Sequence, residues 1–373
     1  MPLHIALDAS RTTRANTTGT EHYALELLRH LITLNDEQSQ PHHLTLYFRD
    51  TPPADLFPSS PNVSQCVIPM RRLWTHIAFA SALNRDRPDV TFVPAHTLPA
   101  AFPGRSVVTV HDLGYRYFPQ AHPRHHRLYL DITTRHSARR ATRIIADSQA
   151  TASDLQKFYN VPSEKIRVVY PGVDAPLAEV TFNSAIARVR EKYKLPQHYF
   201  IFVGTLQPRK NIARLVEAFE IWSKANPIGA GLVLAGGRGW MFDQRWLRDT
   251  PNVYLPGYIS DDDKYALLSG ALALVFPSLY EGFGFPILEA MHCGTPVITS
   301  STSSLPELAG DAALMIDPLN VSEIATAMDL VFWQVQLRYR LRSKGYRQVE
   351  KFTWEAAAKQ VMETLEEAAG AEG

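Results

Sequence analysis

The stretch ALALVFPSLYEGFGFPILEAMHCGTPVITS, residues 271–300, contains an apolar run, a glycine-rich turn, a short intervening segment and a second apolar run. Continuous rather than alternating apolar runs are typical of parallel strands that are buried on both faces. Pro286 suits the first residue of a helix, since its missing N–H would lack an intrahelical partner, and Gly294 suits the residue past the end. The stretch therefore predicts one β–α–β unit with a helix over roughly residues 286–293.

Similar apolar runs recur along the chain, and most are followed by a longer amphipathic segment. The first group lies at 4–8, 44–48, 90–93, 107–110, 142–146 and 166–169, and the second at 199–203, 231–236, 252–257, 271–276, 295–299 and 312–316. Between the groups, residues 170–180 read YPGVDAPLAEV, where Pro and Gly cluster as in a linker. The rhythm predicts an α/β protein with two doubly wound halves.

Length and composition fit a globular protein of two domains. The 373 residues suit two domains of about 100–200 residues each, and we expect a boundary near residue 180 with a cleft between the domains. Lys+Arg 38 against Asp+Glu 37 gives no indication of nucleic acid binding. Cys66 and Cys293 match neither a disulfide framework nor a metal-binding spacing. The sequence shows neither a signal-like start nor a long apolar run, so we expect a cytoplasmic protein that does not span a membrane.

Two glutamates, Glu281 and Glu289, flank the glycine-rich turn of the opening stretch. If the intervening segment were entirely helical, the carboxylates would be up to roughly 12 Å apart, whereas carboxylates that attack one glycosidic bond are about 5–9.5 Å apart. The pair therefore suits binding of two hydroxylated parts of one extended ligand. The spacing also fits a turn residue and a solvated helix position. The turn Gly282-Phe283-Gly284-Phe285 can present backbone N–H groups to an anion at a helix N-terminus.

Two further loops follow apolar runs and carry charged side chains. In VGTLQPRKN, residues 203–211, Arg209 and Lys210 precede Asn211, which could cap the next helix. Adjacent cations at such a position could bind a diphosphate, although a solvated basic turn fits the same pattern. His111 and Asp112 directly follow the run at 107–110, where the imidazole could orient a sugar or assist proton movement.

Four other patterns bear on metal, cofactor or membrane binding. The DDD at 261–263 predicts a helix cap and an acidic first turn rather than a D-x-D metal site. The adjacent His125 and His126 face different sides of a helix, which argues against zinc. Gly19 lies in a turn without a GxGxxG pattern, so a dinucleotide cofactor is unsupported. The arginine-rich segments at 71–85 and 124–143 fit either contact with anionic lipid or a solvated helix face.

Taken together, these motifs resemble the retaining glycosyltransferases of family 4, which adopt the GT-B fold of two Rossmann-like domains facing a central cleft. The resemblance is carried by the E-x7-E pattern from Glu281 to Glu289, by VGTLQPRKN, by HDL at 111–113 and by TTGTEHYALELL at 17–28. It continues to FTWEAAAKQVMETL at 352–365 and so extends over nearly the whole chain.

The resemblance implies roles for individual positions. Glu281 would contact donor-sugar hydroxyls and Glu289 the ribose of the nucleotide, while backbone amides of the turn would bind the sugar. The turn comprises Gly282, Phe283, Gly284 and Phe285. Arg209 and Lys210 would neutralise the diphosphate leaving group. In the first half, His111, followed by Asp112, would lie beside the transferred sugar, and Gly19 would border the phosphates and the acceptor.

One position departs from the family pattern. Many relatives have arginine after the glycine that ends the first strand of the second domain, whereas Thr205 follows Gly204 here. Phosphate binding would then depend on Arg209 and Lys210. The GTLxPRKN form resembles a subgroup rich in mannosyltransferases, which implies GDP-mannose as donor and leaves UDP-glucose and other nucleotide sugars open. Tyr258 would lie in the segment that covers the base.

The resemblance also implies a domain plan and an activity. Residues 1–180 would form the acceptor-side domain, completed by a C-terminal helix at 352–373, and residues 181–351 would bind the nucleotide sugar. We expect a metal-independent hexosyltransferase of polysaccharide biosynthesis, without a cofactor, acting on a glycan or lipid-linked acceptor. Two alternatives stay open, namely a sugar-nucleotide epimerase or hydrolase of the same fold and a non-catalytic nucleotide-sugar-binding partner.

Overall fold

The computed structural model describes residues 1–13, 19–121, 123–176, 183–239 and 241–370. The chain forms two compact units. The first comprises Met1–Leu113, Pro123–Gly172 and Phe352–Gly373, and the second comprises Gly114–His122 and Val173–Lys351. The boundary expected near residue 180 falls within 177–182, which lie outside the described residues.

Each unit is built on one parallel sheet. The strands are β1 (His4–Asp8), β2 (His43–Phe48), β3 (Val63–Val67), β4 (Val90–Val93), β5 (Ser106–Val110), β6 (Arg143–Ala146), β7 (Ile166–Val168), β8 (Tyr199–Val203), β9 (Gly231–Ala235), β10 (Val253–Gly257), β11 (Ala273–Phe276), β12 (Val297–Ser300) and β13 (Ala313–Ile316). The strand order is β3-β2-β1-β4-β5-β6-β7 in the first unit and β10-β9-β8-β11-β12-β13 in the second. Chain order reverses beside β1 and beside β8, which confirms the predicted class of two doubly wound α/β units.

The helices lie between these strands and after the last of them. They are α1 (Gly19–Asp36), α2 (Ala80–Asp86), α3 (Gly114–Tyr117), α4 (Arg124–Arg140), α5 (Gln149–Tyr159), α6 (Asn183–Lys192), α7 (Ile212–Ala225), α8 (Asp261–Ser269), α9 (Phe285–His292), α10 (Leu305–Ala309), α11 (Val321–Trp333), α12 (Val335–Val349) and α13 (Trp354–Ala369). Over the described ranges, each helix is too short or too polar to cross a bilayer.

Burial explains why the apolar runs form strands. Every residue of β4, β5, β8, β9, β11 and β12 is buried, because parallel sheets are covered by helices on both faces. β3 was not predicted. Only β2 pairs with it among the described strands, and Ser64, Gln65 and Val67 are exposed along it. An edge strand of this kind does not need a continuous apolar run.

The last helix belongs to the first unit, where α13 packs against α1. Its buried side chains include Trp354, Val361 and Leu365, and the Trp354 ring stacks on His30 of α1 with 6.4 Å between centroids. Gly172 lies so close that a Cβ there would be 2.2 Å from the Trp354 backbone nitrogen. The end of the chain is therefore part of the core of the first unit.

Candidate functional site

The glycine turn before α9 depends on a backbone conformation that only glycine adopts easily. Gly284 has φ 134°, and a Cβ there would be 2.8 Å from a methyl carbon of Leu305. The helix begins at Phe285, so Pro286 is its second residue rather than the first as predicted. Gly294, with φ 67°, follows the C-cap Cys293 as expected.

The first glutamate of the pair is enclosed by two cations. Glu281 Oε2 accepts a hydrogen bond from Arg209 Nη1 at 2.6 Å, and its Oε1 accepts one from Lys210 Nζ at 2.6 Å. The Lys210 ammonium also lies 4.8 Å from the centroid of the Phe276 ring. Glu281 and Lys210 are 5% and 7% exposed, so this is a buried charge cluster and not a solvated basic turn.

The cluster controls the ionisation of Glu281. Burial alone would raise the pKa of this carboxyl, but the adjacent Arg209 and Lys210 more than offset that effect and lower its pKa to about 2. Glu281 is therefore fully ionised near neutral pH. A carboxylate with two positive partners is a poor proton donor, which argues against a role as general acid.

Two serines that were not predicted as site residues fix the backbone of the turn. Ser303 Oγ accepts a hydrogen bond from the Glu281 N–H at 2.9 Å. Ser304 Oγ donates to the Glu281 carbonyl at 3.0 Å and also lies against the Phe283 carbonyl. The sequence feature that could have indicated these serines is the polar run STSS at 301–304, directly after β12.

The loops after β8 and β9 run side by side. The Gly204 N–H donates to Ala235, and a Cβ at Gly236 would lie 2.1 Å from the Gly204 carbonyl oxygen. A Cβ at Gly239 would lie 2.5 Å from a methyl carbon of Thr205, the residue that replaces the arginine of the family pattern. The glycines thus allow this close contact between the two loops, next to Arg209 and Lys210.

Asn211 occupies the N-cap position of α7, but the prediction that its side chain caps the helix is wrong. Its backbone is left-handed, with φ 62°, and its side chain makes no capping hydrogen bond to the helix. Instead its Nδ2 donates to the carbonyls of Pro277 at 3.1 Å and Pro318 at 2.6 Å. These buried carbonyls need a donor, and satisfying them links α7 to the loop after β11.

The second glutamate has its own cation, Lys264, which was not predicted as a site residue. Lys264 Nζ donates to Glu289 Oε1 at 2.8 Å, and the two side chains are 15% and 14% exposed. Burial would lower the pKa of Lys264, but the Glu289 carboxylate raises it above its usual value. Glu289 is therefore not a solvated helix position. Among the contacts described, its carboxylate does not pair with Arg209 or Lys210.

Tyr258 follows β10 and is almost fully accessible, with 82% of its surface exposed. The preceding Gly257 has φ 78°, and its carbonyl accepts a hydrogen bond from the Gly236 N–H at 2.8 Å. This bond fixes the start of the Tyr258 loop to the glycine loop after β9. A base could stack on such an exposed ring without displacing other side chains.

In the first unit, His111 is buried between two acceptors. Its Nδ1 is 2.6 Å from Asp147 Oδ2 and its Nε2 is 3.1 Å from the Pro94 carbonyl oxygen. Because a carbonyl can only accept, Nε2 carries a proton, and the carboxylate at Nδ1 favours a second one. Burial lowers the pKa of His111, but Asp147 outweighs that effect and raises it. Asp147, the residue after the run at 142–146, lies in no motif that indicates this role.

The other predicted residues of the first unit are placed as follows. Asp112 is half-buried directly after His111, and Gly19 is the exposed first residue of α1. Residues 14–18, which complete the loop before Gly19, lie outside the described residues. Arg209, Lys210, Glu281, Glu289 and Tyr258 all belong to the second unit, whereas Gly19, His111 and Asp112 belong to the first.

The acidic run at 261–263 forms the first turn of α8, as predicted. Ser260 caps the helix by accepting a hydrogen bond from the Asp263 N–H. The Asp263 carboxylate is occupied by Lys192 Nζ at 2.5 Å and Tyr193 Oη at 2.7 Å. Over the described parts of the chain, His, Cys, Asp and Glu side chains form no cluster of three or more that could hold a metal ion.

Comparisons with known proteins match both halves of the chain. Residues 185–348 match the family model for glycosyl transferases group 1, and residues 17–176 match the model for glycosyltransferase family 4. O-antigen chain mannosyltransferase B of Escherichia coli is 33% identical over 264 residues, which are 69% of each chain. The serotype-specific mannosyltransferase WbdA of Escherichia coli is 29% identical over 229 residues, 58% of this chain but only 27% of WbdA.

Among solved structures, sucrose-phosphate synthase from Thermosynechococcus elongatus is similar over its full length. The TM-score is 0.74 with 22% sequence identity, and the match covers 99% of this chain and 100% of that one. At this level of identity the likeness concerns the fold.

Proposed function

The chain belongs to the glycosyltransferases of family 4, with the GT-B fold, and on that premise we propose that it transfers mannose from GDP-mannose to a glycan or lipid-linked acceptor. The observation that carries the proposal is the buried cluster of Arg209, Glu281 and Lys210 beside the glycine turn. The mannosyltransferases among its relatives support the choice of sugar.

The cation cluster is suited to a diphosphate leaving group. Breaking a sugar–diphosphate bond places negative charge on the departing phosphate, and fixed cations lower the barrier when they are aimed at that charge. We assign this role to Arg209 and Lys210. Backbone amides at the start of α9 would add the positive end of the helix dipole. No metal ion is needed for this stabilisation.

The two glutamates would bind different parts of the donor. Each has its own cations, since Glu281 contacts Arg209 and Lys210 while Glu289 contacts Lys264. We assign Glu281 to the hydroxyls of the transferred sugar and Glu289 to the ribose. Both carboxylate oxygens of Glu281 are engaged by Arg209 and Lys210, which makes this group a weak nucleophile. We therefore propose front-face transfer, in which the leaving phosphate assists the acceptor and configuration is retained.

For the first unit, we propose that the His111 ring contacts the transferred sugar. The Asp147 carboxylate, which raises the pKa of this imidazole, would fix the orientation of the ring, so Asp147 is a positioning residue. Gly19 and Asp112 would contribute on the acceptor side.

A thermal-shift screen tests the donor. GDP and GDP-mannose should raise Tm by several degrees at about 100 times Kd, because such saturation adds about 2.7 kcal/mol to the free energy of unfolding. UDP and UDP-glucose serve as the comparison, and stabilisation by uridine nucleotides alone would refute GDP-mannose. NMR of products with and without a mannose-terminated acceptor then separates transfer from hydrolysis or epimerisation.

Replacing Lys264 by methionine should weaken nucleotide binding about tenfold, since a charge-assisted hydrogen bond that positions Glu289 contributes about 1.5–3 kcal/mol. The measurement is Kd by calorimetry for the nucleotide that stabilises the wild type. Lys224→Met is the matched control, because Lys224 pairs with Glu220 at 2.7 Å but is 74% exposed. An unchanged Kd in the Lys264 variant would remove the ribose assignment.

Replacing Asp147 by asparagine should lower the pH at which His111 loses its proton. In the wild type the raised pKa contributes stability that is fully present below about 6.5 and is lost as pH rises through the folded-state value. The difference in Tm between wild type and variant should therefore be larger at mildly acidic pH, where Asp147 is still ionised, than at alkaline pH. NMR titration of the imidazole checks this, with Asp131→Asn as control. A midpoint that Asp147→Asn does not move contradicts the pairing.

A further inference from the structure

Four aliphatic side chains are exposed in two segments of the first unit. Leu73 and Ile77 are 62% and 51% exposed, and Leu128 and Ile132 on α4 are 59% and 57% exposed. We call residues 71–77 and 124–140 together the basic apolar face. Single exposed aliphatic residues are ordinary, whereas a group of four in adjoining segments makes this face a candidate interaction surface.

The exposed side of α4 alternates apolar and cationic residues. On a helix with 3.6 residues per turn, five positions fall within roughly 80° of one another. They are Arg124, Leu128, Ile132, Arg135 and Arg139, all exposed. On the opposite side of the helix, the buried residues include Thr134, Ser137 and Ala138. The helix is therefore fixed to the unit by one side and presents the mixed side to solvent.

The two segments of the basic apolar face are neighbours. Tyr129 Oη on α4 is 3.5 Å from His76 Nε2 on the other segment. A cavity of about 600 Å³ adjoins the first segment and is lined by Arg49, Arg71 and Arg72. Arg49 is fixed there by donating to the Arg71 carbonyl at 2.8 Å. The three arginines give this part of the surface a positive charge that favours anions.

The charge of this face differs from that of the whole chain. Its two segments contain seven arginines and one acidic residue, Asp131, while the complete chain has a net charge of +1. The positive charge is thus concentrated where the exposed aliphatic side chains are. This combination of cations and apolar side chains is typical of surfaces that lie in the interface of an anionic bilayer.

We propose that the basic apolar face docks on an anionic lipid bilayer, with its aliphatic side chains at the headgroup boundary and its arginines on lipid phosphates. Charge complementarity favours this occupant over a second copy of the chain, because a two-fold contact would place the arginines against their own equivalents. The proposal goes beyond the sugar transfer described above and does not depend on the identity of the donor.

Vesicle flotation tests the proposal. At low salt, the full chain should float with vesicles of phosphatidylcholine and phosphatidylglycerol but not with phosphatidylcholine alone, and added salt should release it. The variants Leu128→Ser/Ile132→Ser and Arg124→Gln/Arg139→Gln should each reduce the bound fraction about tenfold. Thermal unfolding should be unchanged, because these side chains are exposed.

A matched control comes from the second unit. Ile228 and Val335 are 46% and 47% exposed, so Ile228→Ser/Val335→Ser removes similar apolar surface elsewhere and should leave flotation unchanged. The proposal is overturned if wild-type chain does not bind anionic vesicles, or if the control variant loses binding equally. It is also overturned if light scattering shows a dimer that Leu128→Ser/Ile132→Ser dissociates, since the face would then be a contact between copies.

Discussion

Replacing Glu281 by alanine is expected to lower kcat/KM for sugar transfer by roughly 10²–10³-fold, the usual loss when one group that stabilises a transition state is removed. Nucleotide binding should be retained or strengthened. The reason is that Arg209 and Lys210 each make a 2.6 Å hydrogen bond to this carboxylate. Without Glu281, the full charge of both cations is available to a diphosphate.

The same variant should be less stable when no nucleotide is present. Removing one partner of a buried ion pair leaves uncompensated charge and costs about 3–5 kcal/mol. The added nucleotide should therefore raise Tm more in Glu281→Ala than in the wild type. Single-turnover kinetics and thermal shift measure both effects. Unchanged turnover would disprove the assignment of Glu281 to the sugar, while a weaker nucleotide shift would disprove the competition for the cations.

Replacing Lys210 by methionine should impair both binding and turnover. The ammonium is buried beside Phe276, and solvent or another side chain cannot easily replace it. We expect kcat/KM to fall by roughly 10²-fold or more, together with weaker binding of the nucleoside diphosphate. Lys192→Met is the control, since Lys192 makes a similar short contact with Asp263 but is 55% exposed. Wild-type nucleotide affinity in Lys210→Met would exclude this lysine from the diphosphate site.

Acid stability provides an independent measure of the same pair. A carboxyl with a lowered pKa contributes stability above its unfolded value, near 4.5, and loses that contribution as pH falls through its folded value of about 2. Lys210→Met should raise the pKa of Glu281 and so reduce the stability difference between neutral and acidic pH. Arg209 remains as the other partner, so the contribution should shrink rather than vanish.

The fold was predictable to the extent that burial leaves a local pattern. Central parallel strands are covered on both faces, so the runs at 199–203 and 107–110 are apolar throughout and were identified as strands. The edge strand β3 has Ser64 and Gln65 in solvent and carries no such pattern. The short helix α9 was predicted nearly to its ends, because proline and glycine mark helix ends locally.

The site residues that lie in a sequence motif were predictable. Residues whose role depends on a partner distant in sequence were not. Glu281, Arg209 and Lys210 were singled out in separate loops, but their direct contact joins positions about 70 residues apart. Lys264 and Asp147 lack any motif, and only the tertiary structure pairs them with Glu289 and His111. Asn211 was predicted as a cap from local preference, whereas two buried carbonyls compete for its side chain.

The first unit also constrains the order in which the chain can fold. The apolar side of α1, including Leu27 and Leu31, is completed by α13, which ends at Ala369. During synthesis, α1 therefore leaves the ribosome long before its packing partner exists. Residues 173–351, which form most of the second unit, are synthesised before α13. The first unit therefore begins to be synthesised first, but its core is completed last.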